Sequence, residues 1–254
     1  MNAECFSGKV ALVTGSSRGI GAAIALAFAR AGADLVINYR VAGSASAAKA
    51  ERVCEEIHAL GRRAVAAAAD ISERAAVVRL VAAAEESFGR LDFLVLNAAR
   101  APFKPIERLL ERDLRQLVDT NFLGNVLCLR EALPLLERSA GKVVFISGLG
   151  SRFYAPAYPL GSMKAAMEAV VRDCAESLHE RGVAVNAVCG GLVRTDSYKV
   201  LRQWWEGIER VREDQLVTAE EIAEVVLFLC SPAAGGIRGQ TIVVDRGLGN
   251  RLIR

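Results

Sequence analysis

Short apolar runs rich in valine and isoleucine recur along the chain, with longer stretches of helical period between them. The runs are Val10–Val13, Leu35–Asn38, Ala64–Ala68, Phe93–Leu96, Val143–Ile146, Val183–Val188 and Thr241–Val244. Each is too short for a typical helix and apolar on successive residues, as expected of strands covered on both faces. The intervening segments predict helices at Ile20–Arg30, Ala45–Leu60, Ser72–Phe88, Ile106–Glu137, Leu160–Arg181 and Ala219–Leu229. Gly32, Gly61, Gly89 and Gly182 follow four of them as C-terminal stops. Pro134 is expected to end or bend the long one. Thr218 with Glu221 reads as a capping box at the start of the last. Seven strands alternating with helices predict an α/β domain with a parallel sheet and helices on both faces. Ser197–Leu216 breaks the alternation and reads as an inserted helical flap carrying Trp204 and Trp205.

Composition narrows the class without changing that picture. Hydrophobic residues make up 52% of 254 residues, enough for one sizeable core. The formal net charge is +3 and no basic run stands out, so neither nucleic acid nor an acidic membrane surface is an expected partner. The longest apolar stretch, Ala22–Ala29, is far shorter than the ~20 residues of a membrane span. The N-terminus lacks the pattern of a signal peptide, and a cytoplasmic location is expected. Six cysteines show neither CxxC pairing nor zinc spacing with His58 or His179, so free thiols and no metal site are expected.

The first strand runs into Thr14-Gly15-Ser16-Ser17-Arg18-Gly19-Ile20-Gly21 and then a helix. Glycines let the backbone turn tightly against a pyrophosphate, and the helix N-terminus offers N–H groups to the anion. A carboxylate at the end of the second strand would hold a ribose 2′-hydroxyl and select NAD. The chain has Asn38-Tyr39-Arg40 there. Arg40 and Arg18 are either two solvated arginines or a grip on a 2′-phosphate; the second reading favours NADP(H).

The linked motifs resemble the short-chain dehydrogenases/reductases over nearly the whole chain, which implies a Rossmann-type, doubly wound seven-stranded single domain. The resemblance rests on the turn at Thr14–Gly21, Asp70-Ile71 after the third strand, Asn97-Ala98-Ala99 after the fourth, and Gly191-Leu192-Val193-Arg194-Thr195. It implies cofactor contacts from Gly15, Ser17, Arg18, Gly19, Ile20, Gly21, Arg40, Asp70, Ile71, Asn97, Ala98, Ala99, Lys164, Gly191, Val193 and Thr195. It places Asn121 where a family asparagine supports a proton-relay water, and Lys164 where a lysine holds the nicotinamide ribose.

The usual carbonyl-reducing triad is missing. The family serine position holds Gly148, and four residues before Lys164 stands Leu160 rather than tyrosine. The stretch from Leu149-Gly150 to Tyr158 and Lys164 is similar to the enoyl-acyl-carrier-protein reductases of the family, with one residue fewer between tyrosine and lysine. Asn186–Gly191 and Ile237–Asp245 resemble the NADPH-preferring members of that branch. Six positions apart within one helix, two side chains point ~120° apart. Pro159, however, suits a first helical position and leaves Tyr158 ahead of the helix, free of its phase. Tyr158 is the expected acid, with Tyr154 as the second candidate and a structural role open for both.

The resemblance thus implies NADPH-dependent reduction of an enoyl thioester, free or carrier-bound. A ketoreductase or alcohol dehydrogenase of secondary metabolism, and a silent NADP-binding scaffold, stay open as alternatives. Trp204 and Trp205 either cover an acyl chain or pack on the domain. Family members form homotetramers or homodimers through the helices matching Ile106–Glu137 and Leu160–Arg181, the second of which offers small Ala165, Ala166 and Ala169.

Overall fold

The computed structural model describes residues 5–152, 159–203, 205 and 208–251. The chain alternates as expected: β1 (Val10–Val13), α1 (Gly19–Arg30), β2 (Asp34–Tyr39), α2 (Ala45–Ala59), β3 (Ala64–Ala68), α3 (Arg74–Phe88) and β4 (Phe93–Leu96). After these come α4 (Glu111–Val118), α5 (Gly124–Ser139), β5 (Lys142–Gly148), α6 (Leu160–Ser177), β6 (Ala184–Gly190), α7 (Asp196–Leu201), α8 (Ala219–Cys230), β7 (Thr241–Val244) and α9 (Leu248–Arg251). The seven strands form one sheet in the order β3-β2-β1-β4-β5-β6-β7, parallel throughout. This is the Rossmann-type single domain that the sequence implies.

Successive strand residues point to opposite faces, and both faces are dry. Ala11 and Val13 join one buried cluster with Phe28 of α1, Ile57 of α2 and Val226 of α8. Val10 and Leu12 join the other with Leu80 of α3, Leu136 of α5 and Met167 of α6. Burying one such large side chain is worth ~1.5–3 kcal/mol, so the two layers are what hold the helices to the sheet. Order reverses at β1, which pairs with β2 on one side and β4 on the other. A crevice opens past the strand ends at such a switch point.

The caps follow the sequence. Thr218 Oγ1 accepts from Glu221 N at 3.2 Å, and Thr218 N donates to Glu221 Oε2 at 2.8 Å. Gly89 closes α3 at φ +71.

Four helical expectations need correction. The stretch Ile106–Glu137 is not one helix: a 3-10 turn at Ile106–Arg108 precedes α4, and a π turn at Asp119–Leu123 joins α4 to α5. The break before α4 is fixed by Asp113, whose Oδ2 accepts from Leu110 N at 3.0 Å while pairing with Lys104 Nζ at 2.7 Å. Pro134 does not end α5, which runs on to Ser139 because Leu135 and Leu136 are buried in the core. Ser72 does not open α3; its N–H and hydroxyl are held by Asp70 Oδ1, and the helix starts at Arg74. Likewise α6 stops at Ser177, short of Arg181.

The six cysteines are free thiols, four of them buried. Among the described residues, no cluster of three or more His, Cys, Asp or Glu could hold a metal ion, and no helix is long and apolar enough to cross a membrane.

Candidate active site

A cleft of about 710 Å³ opens along the strand ends. The β1–α1 turn forms its floor. Thr14 is wholly buried, and its Oγ1 accepts from Asn97 N at 2.9 Å and Ala98 N at 3.0 Å. Asn97 Nδ2 returns two bonds, to Thr14 O at 2.9 Å and Gly15 O at 3.1 Å. These bonds tie the turn after β1 to the end of β4. Two glycines are sterically required. Gly15 sits at φ +63 with room for a Cβ only 3.0 Å from Ala98 Cα. A Cβ on Gly21 would come within 2.6 Å of both Gly15 O and Asn97 Nδ2. The N-terminus of α1 carries no side-chain cap, so its first-turn N–H groups face the cleft without a side-chain partner. That cradle suits an anion such as a pyrophosphate.

Asn38 lines the cleft, but its amide is engaged with the main chain. It is buried, its Oδ1 accepts from Gly15 N at 2.9 Å, and its Nδ2 donates to Ala67 O at 3.2 Å and Ala69 O at 3.1 Å. It stitches the glycine turn to the ends of β2 and β3. Tyr39 and Arg40 therefore carry the rim of that end of the cleft, with Ser46 from α2 and Asp70-Ile71 after β3. Arg18 also lines the cleft and lies 3.8 Å from Asp196 at the start of α7, both largely exposed. Ser17, Gly19 and Ile20 complete the turn; Asn97, Ala98 and Ala99 line the middle.

At the other end, Gly148, Leu149 and Gly150 form one wall and Gly191, Val193 and Thr195 the other. All sixteen residues expected at the cofactor thus line a single cleft. Thr195 caps α7, accepting from Tyr198 N at 3.4 Å. Ser197, Tyr198, Leu201 and Trp205 cover the opening, and α9 adds Leu248. The turn to α9 is made by Asp245, whose carboxylate accepts from Gly247 N at 2.8 Å and Gly249 N at 2.7 Å. Tyr154, Tyr158 and Trp204 lie outside the described residues.

Lys164 projects from α6 into this end. It is 7% exposed, its Nζ donates to Ile146 O at 2.5 Å, and it lies 4.7 Å from the centre of the Phe145 ring. Burial pulls its ammonium from 10.5 down to about 8, against the opposing pull of Cys189 and Glu168. Leu160 is buried one turn before it and lines the cleft. Pro159 stands at the N-cap, one position before the helix proper. Gly161 lets α6 approach the 3-10 turn Leu149–Ser151, because any Cβ there would collide with Gly150 O. Gly148 is different: among the described residues, a Cβ there would meet nothing closer than Gly190 O at 3.8 Å.

Asn121 does not line the cleft, although Thr120 does. It lies in the π turn, where its Oδ1 accepts from Arg100 N at 2.9 Å and its Nδ2 donates to Arg100 O at 2.6 Å and Leu117 O at 2.9 Å. Asn125 Nδ2 donates to the Asn121 carbonyl at 2.9 Å. The sequence motifs gave no role to Glu168 or Ser147 and marked Asn38 only as a non-acidic residue; the roles of all three depend on contacts between distant segments. Their only local signal was a polar side chain on an otherwise buried face.

A family model described as enoyl-(acyl carrier protein) reductase matches residues 15–249. The 1-cyclohexenylcarbonyl-CoA reductase of Streptomyces collinus is 36% identical over 94% of this chain and 86% of its own length. The hydroxynaphthalene reductase arp2 of Aspergillus fumigatus is 34% identical over 92% of this chain and 90% of its own. A short chain dehydrogenase from Burkholderia cenocepacia J2315, solved in complex with NADP, superposes with a TM-score of 0.87 at 33% identity, covering 97% of this chain and 100% of its own. The chain belongs to the short-chain dehydrogenase/reductase family of oxidoreductases.

Proposed function

We propose that the chain is an NADP(H)-dependent reductase of a thioester-conjugated double bond. One observation carries the reading. Lys164 is fixed in the cleft by its bond to Ile146 O while Gly148 and Leu160 stand where carbonyl-reducing relatives have serine and tyrosine. A ketone needs a proton donor at its own oxygen, which that pair supplies. An enoyl thioester needs its distant enolate oxygen stabilised, and a donor placed elsewhere can do that. The coenzyme-A reductase from Streptomyces collinus supports this substrate class.

The residues divide the work. The glycine turn and the α1 N-terminus hold a pyrophosphate, and Arg40 with Arg18 grips a 2′-phosphate. A reduced nicotinamide bound there supplies the hydride. The Lys164 ammonium holds the ribose and adds positive charge beside the reacting atoms. Tyr158, with Tyr154 as the second candidate, donates its phenolic proton toward the enolate oxygen. Leu149, Leu192, Leu201, Trp205 and Leu248 give the far end an apolar lining suited to an acyl chain, and the segment 197–216 acts as its flap. Asn121 positions the loop at Arg100. We further propose a homotetramer or homodimer. Leu110, Leu114 and Val118 expose one apolar stripe along α4, and Ile106 beside it is 83% exposed.

The test offers purified protein NADPH with an enoyl thioester, a 3-ketoacyl thioester and simple ketones, in wild type, Tyr158→Phe and Tyr154→Phe. The expected result is turnover of the enoyl substrate, lost in Tyr158→Phe. Turnover that survives Tyr158→Phe and falls in Tyr154→Phe reassigns the acid. Preference for ketones would favour the second reading, a ketoreductase of secondary metabolism, which the Aspergillus relative supports. Tight NADPH binding without any turnover would favour a cofactor-binding scaffold.

A further inference from the structure

Beside the cofactor cleft lies a carboxylate that none of these steps uses. Glu168 follows Lys164 by one turn of α6, so both side chains leave the same helix face. Glu168 is only 7% exposed. A buried carboxylate is tolerated only when hydrogen bonds and opposite charge replace its water. Both are present. Its Oε1 accepts from Ser147 Oγ at 2.5 Å and from Ser151 Oγ at 2.8 Å, and its Oε2 lies 3.9 Å from Arg152 Nη2.

The two serines bracket Gly148, Leu149 and Gly150, the wall of the cleft on this side. One carboxylate oxygen therefore gathers both ends of that wall. Lys164 grips Ile146 O, the residue just before Ser147. Consecutive residues at the end of β5 are thus held by the two charged groups of one helix face.

We propose that Glu168 is a positioning residue of the cofactor cleft: its carboxylate holds the wall from Ser147 to Ser151 in place and presents its charge to Lys164 from one turn away on the same helix face.

The charges around Lys164 support the second half. Cys189, facing the pair from β6, and Glu168 both raise the Lys164 ammonium against its burial. Burial, and then Glu168, push the Cys189 thiol up to about 11, with Arg152 lowering it and Asp245 raising it. The proposal rests on a nicotinamide cofactor occupying the cleft, not on the choice between enoyl and ketone substrates.

Two variants separate the halves. Glu168→Gln keeps the shape and removes the charge; the Ser147→Ala/Ser151→Ala double variant keeps the charge and removes the hydroxyl bonds. The lysine ε-methylene carbons are followed by NMR against pH in the cofactor-free protein, with Lys164→Arg assigning the signal. Glu168→Gln is expected to lower the Lys164 midpoint by about one pH unit, an ordinary effect of losing a close opposite charge. The double variant leaves the midpoint in place. NADPH affinity is measured in parallel by fluorescence. For Glu168→Gln it should fall at lower pH than in wild type, by about fivefold at pH 8 from the smaller charged fraction. For the double variant it should weaken alike at every pH. An unchanged Lys164 midpoint in Glu168→Gln, or wild-type affinity in the double variant, overturns the corresponding half, and the double variant serves alone if Glu168→Gln does not fold. Failure of wild type to bind NADPH or NADH would defeat the cofactor reading, while the titration of Lys164 would still decide the role of Glu168.

Discussion

The two ends of the cleft are built on different principles. At the end built on the β1–α1 turn the backbone does the work: Gly15 and Gly21 admit no side chain, and Thr14, Asn38 and Asn97 lock the neighbouring strand ends to that turn by bonds to main-chain atoms. At the end that holds Lys164 the side chains do the work: Lys164 and Glu168 hold β5, and Gly148 and Leu160 bring no polar side chain to the lining. Nucleotide binding tolerates little change because a steric constraint on backbone has few solutions. Chemistry can drift, because replacing two side chains leaves the frame intact.

That contrast can be pressed from both ends. Lys164→Met should have the largest effect, lowering kcat/KM about 1000-fold by removing the charge beside the reacting atoms. A loss confined to KM would place Lys164 in binding alone. Gly21→Ala comes next. Its Cβ would sit 2.6 Å from a main-chain oxygen, so the turn must move, and NADPH affinity should drop about 100-fold in a fluorescence titration. Wild-type affinity there would show that the turn yields, and the contrast would lose its first half.

The Gly148→Ser/Leu160→Tyr double variant should be a gain. Gly148 has room for the side chain and Leu160 stands one turn from Lys164, so ketone reduction should rise at least about tenfold over wild type. No gain, in a folded protein that still binds NADPH, would mean the pocket excludes ketones by shape. Arg40→Ala should have the smallest effect. It should weaken NADPH about tenfold, some 1.4 kcal/mol, and leave NADH unchanged. Equal loss for both cofactors would remove Arg40 from 2′-phosphate recognition.

The same contrast explains what was legible in the sequence. The strands and the glycine turn could be read because their signals are local: apolar runs, glycines and caps such as Thr218 with Glu221. The split of Ile106–Glu137 could not, since the π turn at Asp119–Leu123 changes the hydrogen-bond step over five residues without altering the apolar pattern. Pro134 could not be read as an end for the opposite reason: α5 runs on through it because the burial of Leu135 and Leu136 outweighs a lost main-chain bond. Asn38 read as a missing carboxylate, whereas its buried amide joins the ends of β2, β3 and the glycine turn. Glu168 gave only the signal of a charged residue on a buried helix face, because its partners Ser147 and Ser151 lie outside α6 and only the fold brings them within reach.

The most direct measurement follows the hydride itself. With NADPH deuterated at the transferred position of C4 and a short trans-2-enoyl coenzyme-A thioester, mass spectrometry and NMR of the product report which carbon receives the label. The account predicts one deuterium on the β-carbon of a saturated thioester, and none transferred to the carbonyl of a 3-ketoacyl thioester offered in its place. Label on the carbinol carbon of a reduced ketone, with the enoyl substrate untouched, would contradict it.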